Sequence, residues 1–213
     1  MRSIVRGLID VVRRSFARTT HGEDNATSSY RSMLERVKAG DLKVDLDEMR
    51  QAYADSEDYS SVSDPDLQKE MIEAINKEQF PKAIELAARA LEGNYVDINA
   101  HHTLYVAYKE NRENDKSEFH FAIEKGLIDS ILKSGDGKSR ETAYVVISTD
   151  EEYVVLNVFG LELELQAVQS AEGHWYDILN AKDPDTQEKV ELFFNIDKPY
   201  GHMAEILQRA RKR

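Results

Sequence analysis

The spacing of apolar residues predicts that the first half of the chain is helical. In residues 30–37, apolar side chains recur three and four positions apart, which is the period of an amphipathic helix. Asp45 stands where the N-cap of a second helix is expected, and Asp64 followed by Pro65 has the pattern of a third helix start. A series of short helices is therefore expected from residue 30 onward.

Residues 67–133 contain a faint internal repeat. Ala83 and Ala87 recur as Ser117 and Phe121, each pair 34 residues apart, which is the period of a tetratricopeptide repeat. We therefore expect two degenerate tetratricopeptide-like helix pairs here. Because at least three repeats are usually needed for a stable array, this short array must be supported by another part of the chain.

The apolar period changes to two in the second half of the chain, which indicates strands. Residues 142–148 predict a first strand, and a capping box at residues 148–152 then predicts a short helix ending at Gly160. Alternating segments at 161–166, 174–181 and 190–196 predict a three-stranded antiparallel meander. The sequence thus predicts an α+β fold, with an N-terminal helical half packed against a small, mostly antiparallel C-terminal sheet.

These patterns also predict the boundaries of the segments. We divide the chain into a basic amphipathic helix at 1–18, a flexible tether at 19–28, a helical, tetratricopeptide-like part at 29–133, a small mixed meander at 134–200 and a basic C-terminal helix at 201–213. Residues 29–200 are expected to form one globular domain.

Composition and charge narrow the classes of function. The 213 residues are 41% hydrophobic and 32% charged, which is typical of a soluble globular protein. The absence of cysteine excludes disulfides, thiol nucleophiles and thiolate metal sites. The net charge is −12, and because both ends are basic the body between them carries about −19. Such a surface repels nucleic acids and favours another protein as partner, a basic one in particular.

The basic N-terminal segment is the feature that bears on localisation. Residues 1–18 place an apolar stripe opposite several arginines, but charged residues interrupt the apolar run, so the segment is not a convincing secretory signal. The helix either docks on the body or on another protein, or lies on an anionic membrane surface. Docking is favoured, because a single short helix without a lipid binds membranes weakly. We expect a cytoplasmic protein, with peripheral membrane attachment as the alternative.

The tripeptide GKS at 137–139 does not form a phosphate-binding loop. A Walker motif needs a glycine at the position of Leu132, and it needs a strand before the loop and a helix after it, which is the reverse of the predicted order. Gly135 is better interpreted as the C-cap of the preceding helix, and Asp136 with Gly137 as a turn. No cofactor is predicted.

Histidines are the remaining candidates for chemistry. His101, His102 and His120 lie on adjacent predicted helices, and His101 and His120 are close enough in a helical hairpin to meet. With a carboxylate such as Asp136 they could hold a metal ion or exchange protons, although no metal-binding spacing is present. The catalytic candidates are His101, His120 and Asp136, and the metal candidates are His101 and His120. The candidates for contact with a partner are Tyr105, Tyr108, Ser134 and Asp136.

Several stretches of the sequence resemble a bacterial family described as domain of unknown function 4919. They are the run at 119–163, with SGDG followed by ETAYVVIS, together with YDIL at 176–179, LFFNID at 192–197 and the segment at 30–59. The resemblance covers residues 28–198 and implies no established activity. It also implies a possible site at histidines like His101 and His120 and at the turn 134–137. Many members look exported, whereas this chain has a basic amphipathic N-terminus.

Three hypotheses of function follow from the sequence. The first is a non-enzymatic protein-protein interaction module, with an inhibitor or immunity-type protein for a basic toxin as a special case. The second is a hydrolase-like or metal-binding enzyme that uses the histidines near the SGDG turn. The third is a peripheral membrane protein anchored by its N-terminal helix.

Overall fold

The computed structural model describes residues 20–211, with side chains from residue 24 onward. The N-terminal helix predicted at 1–18 lies outside the described residues. Within 20–211 the chain forms eight helices and four strands. They are α1 (Thr20–Lys38), α2 (Leu46–Ala54), α3 (Pro65–Asn76), α4 (Phe80–Gly93), α5 (Ile98–Glu110), α6 (Asn114–Lys133), β1 (Tyr144–Val145), α7 (Asp150–Phe159), β2 (Glu162–Ala171), β3 (His174–Lys182), β4 (Lys189–Asn195) and α8 (Asp197–Arg211).

The α+β class is confirmed. The structure separates residues 29–200 into two compact units, and the single globular domain expected over this stretch stays a prediction. Residues 25–130 form the first, here called the helical unit. Residues 131–211, with the strands and helices α7 and α8, make up the body of the second, here called the sheet unit.

The predicted helix starts in the helical unit are confirmed at two positions. The carboxylate of Asp45 accepts hydrogen bonds from the backbone N–H groups of Asp47 and Glu48, at 3.0 and 3.1 Å. The carboxylate of Asp64 accepts in the same way from the first turn of α3. These bonds satisfy N–H groups that have no partner within a helix, which is why the caps can be found from sequence.

The flexible tether predicted at 19–28 is wrong over its described residues, because α1 already begins at Thr20. Thr27 is buried, and its hydroxyl accepts a hydrogen bond of 2.9 Å from the backbone N–H of Glu57. This tertiary contact supports a helix in a stretch whose small, polar composition alone favours a linker.

Helices α3 to α6 form the part in which the internal repeat is predicted. Helix α3 contacts α4 and α5, and α4 contacts α5. Ala83, Ala87 and Ser117 are buried, whereas Phe121 is 41% exposed. The second half of the repeat therefore does not bury the residue that corresponds to Ala87. The tetratricopeptide-like character of this segment stays a prediction.

The sheet has one strand more than the predicted meander. Its order is β1-β4-β3-β2, with β2, β3 and β4 antiparallel as expected and β1 parallel to β4. The strand predicted at 142–148 shortens to Tyr144–Val145. The chain leaves the sheet after this strand, because the N–H of Ile147 is 2.8 Å from the carboxylate of Glu151 at the start of α7.

The C-terminal helix begins earlier than predicted, at Asp197 rather than at residue 201. The side-chain oxygen of Asn195 accepts a hydrogen bond of 3.0 Å from the backbone N–H of Asp197. Pro199 lies in the first turn, where its missing N–H costs no helical hydrogen bond.

Helix α7 ends at Gly160, as the sequence predicts. The N–H of Gly160 donates to the carbonyl of Asn157 at 3.1 Å, and the N–H of Leu161 donates to the carbonyl of Leu156 at 2.9 Å. These two bonds define a Schellman motif, and Gly160 adopts the left-handed conformation that the motif needs, with φ +67°.

We expect Gly160→Ala to lower the free energy of unfolding by about 1 kcal/mol, because alanine disfavours a positive φ. A Cβ atom at this position would meet no atom within 4 Å, so the cost is conformational and not steric. Gly93→Ala is the matched control, since Gly93 also faces open space but has no positive φ. Urea unfolding of both variants tests this, and an equal loss of stability in the two would contradict it.

Candidate functional site

The structure brings together two of the three catalytic candidates, His101 on α5 and His120 on α6. Their Nδ1 atoms lie 2.9 Å apart, and Nε2 of His101 lies 2.9 Å from the backbone carbonyl oxygen of Tyr95. His101 is fully buried and His120 is half-buried. The predicted meeting of the two histidines across a helical hairpin is therefore confirmed.

These contacts determine where the protons of the pair lie. A carbonyl can only accept, so Nε2 of His101 carries a hydrogen, and in the neutral ring its Nδ1 must then accept. The proton between the rings belongs to Nδ1 of His120, which leaves the lone pair of that ring on Nε2. The arrangement holds His120 in one tautomer.

Burial keeps both rings neutral. It lowers the pKa of His101 from 6.5 to about 3, with a smaller contribution from the neighbouring His120. It lowers the pKa of His120 to about 4. A general acid or base works best when its pKa lies near the operating pH, so near neutrality this pair is poorly suited to proton exchange.

Aromatic rings border the histidine pair. Tyr108 stacks on His120 with ring centroids 5.8 Å apart. The ring centroids of Tyr105 and Phe121 lie 5.1 Å apart. Both tyrosines are half-buried. The two tyrosines predicted to contact a partner thus take part in packing between α5 and α6, and their role in binding stays a prediction.

A second histidine contact joins the same two helices. Nδ1 of His102 lies 2.8 Å from a carboxylate oxygen of Glu124, and this hydrogen bond raises the pKa of His102 above its usual value. The other carboxylate oxygen of Glu124 is buried without a hydrogen-bond partner. Because the pKa of His102 is raised whereas the pKa values of His101 and His120 are lowered, this contact responds to pH in the opposite direction to the buried pair.

The remaining predicted site residues, Ser134 and Asp136, take part in a closed loop of the sheet unit. The carbonyl of Thr142 accepts from the N–H groups of Asp136 and Gly137, at 3.0 and 2.8 Å. The carboxylate of Asp136 accepts from the Thr142 hydroxyl at 2.6 Å, which is the largest reason for the lowered pKa of Asp136. The Ser134 hydroxyl donates to the carbonyl of Ile131 and accepts from Val145 N–H. Because two of its amides are already used, the loop is not arranged to cradle a phosphate.

Within residues 24–211, no group of three or more histidine, aspartate or glutamate side chains is arranged to hold a metal ion. His101 and His120 also face each other through the nitrogens that they use for their mutual hydrogen bond. Metal binding by these histidines stays a prediction.

The sheet unit contains a buried pair of carboxyl groups that the sequence analysis does not single out. Glu152 on α7 is 0% exposed and Asp177 on β3 is 2% exposed. Burial, and then the neighbouring Asp177, raises the pKa of Glu152 to about 9. Near neutral pH Glu152 is therefore protonated and can donate a hydrogen bond to Asp177. One carboxyl oxygen of each residue, Oε1 of Glu152 and Oδ1 of Asp177, is buried without a hydrogen-bond partner.

The middle of strand β2 covers this pair. The side-chain amide of Gln166 donates to Asp177 at 2.5 Å and approaches Glu152 at 3.4 Å. The hydroxyl of Tyr153 donates to the side-chain amide oxygen of Gln166 at 3.1 Å. The cover keeps both acids out of solvent, so we interpret the pair as a structural link between α7, β2 and β3.

Strand β2 itself is the most exposed element of the sheet. It has 10 residues and lies at the edge, with β3 as its neighbour in the described sheet. Leu165 is 63% exposed and Val168 is 51% exposed. A β-bulge lies between Leu163 and Leu165, and from Leu165 to Ala171 the pairing with β3 is regular.

The comparison with known families gives a clear result. The family model of a domain of unknown function, DUF4919, matches residues 20–204. The chain belongs to this family. The match agrees with the resemblance predicted over residues 28–198. Searches of curated proteins and of solved structures gave no match to this DUF4919 chain.

A family of unknown function assigns no role to individual residues, so the site residues of this DUF4919 chain are judged on their geometry. The sequence does contain a signal for the buried acids. Glu152 lies three and four residues before Val155 and Leu156, on an apolar helix face, and Asp177 interrupts the apolar run of β3. A carboxyl group at a core position needs a partner, so the two together indicate a buried pair.

In the part of the DUF4919 chain that the structure describes, none of the helices combines the length and the apolar character needed to cross a bilayer.

Proposed function

We propose that this protein is a non-enzymatic protein-protein interaction module, and that the open edge of β2 accepts an extended segment of its partner. The exposed edge strand is the observation that carries the proposal. Natural proteins usually keep edge strands short, charged with lysine or covered, because an open edge pairs with other chains. Strand β2 has 10 residues, no lysine or proline, and exposed apolar side chains.

Addition of a strand suits this surface energetically. The backbone groups on the open side of β2 would supply main-chain hydrogen bonds, and the exposed side chains would supply specificity. The acidic body supports a basic partner, and an inhibitor or immunity-type protein is a special case of such a module.

The two alternatives have less support. An enzyme would use His101 and His120, whose low pKa values leave them neutral near pH 7, and Asp136, whose carboxylate already accepts hydrogen bonds in its own loop. Attachment to a membrane surface would use residues 1–18, which lie outside the described residues. Binding to anionic vesicles by the full chain, with loss of binding on deletion of 1–18, would favour it.

The proposal predicts where selected peptides bind. Peptides selected on the protein from a random displayed library are expected to shift the amide resonances of β2 more than those of other elements. Leu165→Lys is expected to weaken their binding at least about tenfold, because it places a charge on the apolar docking surface.

The matched control is Ile72→Lys, which adds the same charge at an apolar residue that is 60% exposed on α3. It is expected to leave the affinity unchanged. Selected peptides that bind both variants equally, or that shift resonances only outside the sheet unit, would show that β2 is not the interaction surface.

A further inference from the structure

The charges along β2 indicate what kind of segment would fit its open edge. Glu162 and Glu164 lie at the start of the strand and Glu172 directly follows it, while residues 162–172 contain no lysine or arginine. The sheet unit as a whole is also negatively charged, since residues 131–211 hold 15 acidic and 8 basic residues, a net charge of −7. An approaching strand thus meets an acidic edge within an acidic surface.

The existing ion pairs do not neutralise this edge completely. Glu162 lies 3.7 Å from Lys182 and Glu164 lies 2.8 Å from Lys189, and both lysines belong to the inner strands. The side chain of Glu162 remains 61% exposed. Glu172 has no ion pair among residues 24–211.

The apolar residues define the centre of the same edge. Leu165 is paired with Asn180 and Val168 with Asp177, which places them on opposite faces of the sheet. Beside Leu165 an open recess of about 340 Å³ extends towards Lys189 and Glu191. A fitting strand therefore needs apolar side chains on both of its faces at its centre.

A second copy of β2 would fit poorly at this edge. Antiparallel pairing of two β2 strands about Ala167 would place Glu162 opposite Glu172 of the other copy. Like charges directly opposite each other destabilise a strand pair, and the two sheet units would also repel each other. A basic segment avoids both penalties.

On the basis of the proposed strand addition, we infer that the partner of β2 is an extended basic peptide segment of another protein. Its centre carries apolar residues that meet Leu165 and Val168, and its lysines or arginines meet the glutamates that border the strand. Electrostatic attraction sets the preference for this partner over neutral or acidic strands.

Three synthetic peptides test this inference on the full chain. The first has alternating valine and threonine with lysines at both ends, the second has glutamate in place of each lysine, and the third is the first with a central proline. Affinities are measured from shifts of the β2 amide resonances. We expect the lysine peptide to bind about tenfold tighter than the glutamate peptide at about 50 mM salt, and this difference to shrink at about 300 mM.

Two sets of variants test whether the preference comes from the glutamates that border β2 or from the net charge of the whole protein. Replacing Glu162, Glu164 and Glu172 by glutamine is expected to reduce the preference to less than about threefold while binding persists. The matched control replaces three exposed glutamates of the helical unit, Glu70, Glu85 and Glu118, and is expected to retain the preference.

The outcomes distinguish the inference from the proposed function. Equal binding of the lysine and glutamate peptides would overturn the basic partner and leave strand addition intact. An absence of β2 shifts with every peptide, or undiminished binding of the proline peptide, would overturn strand addition itself. A concentration-dependent dimer that Leu165→Lys abolishes would identify a second copy as the occupant and overturn the inference.

Discussion

Replacing Glu152 by glutamine is expected to stabilise the protein, and to stabilise it more as the pH rises. The buried Glu152 must hold a proton to remain in the fold, because burial and Asp177 raise its pKa to about 9. Glutamine has nearly the same shape, carries no charge at any pH and can still donate a hydrogen bond to Asp177. The variant therefore keeps the contact and removes the titration.

The direction of the pH dependence follows from the difference between the folded and unfolded chains. Between pH 4.5, the ordinary pKa of a glutamate, and about pH 9, the folded protein binds a proton at Glu152 that the unfolded chain has released. A group whose pKa is raised by folding contributes stability that is complete below 4.5 and is lost as the pH rises towards 9. The free energy of unfolding falls by about 1.4 kcal/mol per pH unit above 4.5, so at pH 7 we expect Glu152→Gln to be more stable than the wild type by roughly 3 kcal/mol.

Urea unfolding of both proteins at about pH 5, 7 and 9 measures this difference. Glu162→Gln serves as the control, because it makes the same chemical change at an exposed residue of the sheet unit. If the curves of the wild type and of Glu152→Gln run parallel across this range, the buried acid does not carry the proton.

Local sequence signals were sufficient for much of this fold. Asp45, Asp64 and Gly160 mark helix ends, and each makes the hydrogen bonds or adopts the backbone conformation that its residue type favours. The meander was predictable because β2, β3 and β4 follow each other in sequence and pair as neighbours. The parallel pairing of β1 with β4 was not, because nothing local links two strands so far apart in sequence.

The candidate site shows the same division between local and tertiary information. The contact of His101 with His120 could be predicted, since adjacent helices of known period bring the two positions together. Their low pKa values could not, because these depend on how completely the surrounding helices exclude water. The burial of Glu152 beside Asp177 depends on how α7 packs on the sheet, which the local capping pattern at 148–152 does not reveal. Similarly, the helix at residues 20–28 depends on the contact between Thr27 and Glu57.

Acid is expected to destabilise the helical unit through His101 and His120. In the folded protein their pKa values are about 3 and 4, whereas the ordinary pKa of histidine is 6.5. As the pH falls below 6.5, the two histidines bind protons in the unfolded chain but stay unprotonated in the folded protein. The stability that is present above pH 6.5 is therefore lost as the pH falls towards 4. In this pH window each histidine lowers the free energy of unfolding by about 1.4 kcal/mol for every unit by which the pH falls. The helical unit thus loses stability in acid, whereas Glu152 weakens the sheet unit in alkali.

Nitrogen NMR of the imidazole rings tests this directly. From about pH 8 to 5, the resonances of His101 and His120 are expected to stay constant, with the proton of His120 on Nδ1. His102 and His174 are expected to titrate above 6.5, because Glu124 and Asp197 accept hydrogen bonds from them and raise the pKa of each ring. A titration of His120 near 6.5 would show that its ring is open to water and that the pair does not hold its tautomer.

Replacing His101 by alanine tests whether its hydrogen bond to His120, and not only its packing, determines the state of the His120 ring. His101→Ala leaves a cavity, and it removes the hydrogen-bond partner of the Tyr95 carbonyl and that of the His120 N–H. We therefore expect the free energy of unfolding to fall by about 3 kcal/mol. His102→Ala, at the exposed neighbouring residue, should cost less than about 1 kcal/mol. In His101→Ala the ring of His120 is also expected to lose its fixed tautomer and to titrate closer to 6.5, the ordinary pKa of histidine. If His120 instead keeps its low pKa and its Nδ1 proton in that variant, the surrounding helices and not His101 determine its state.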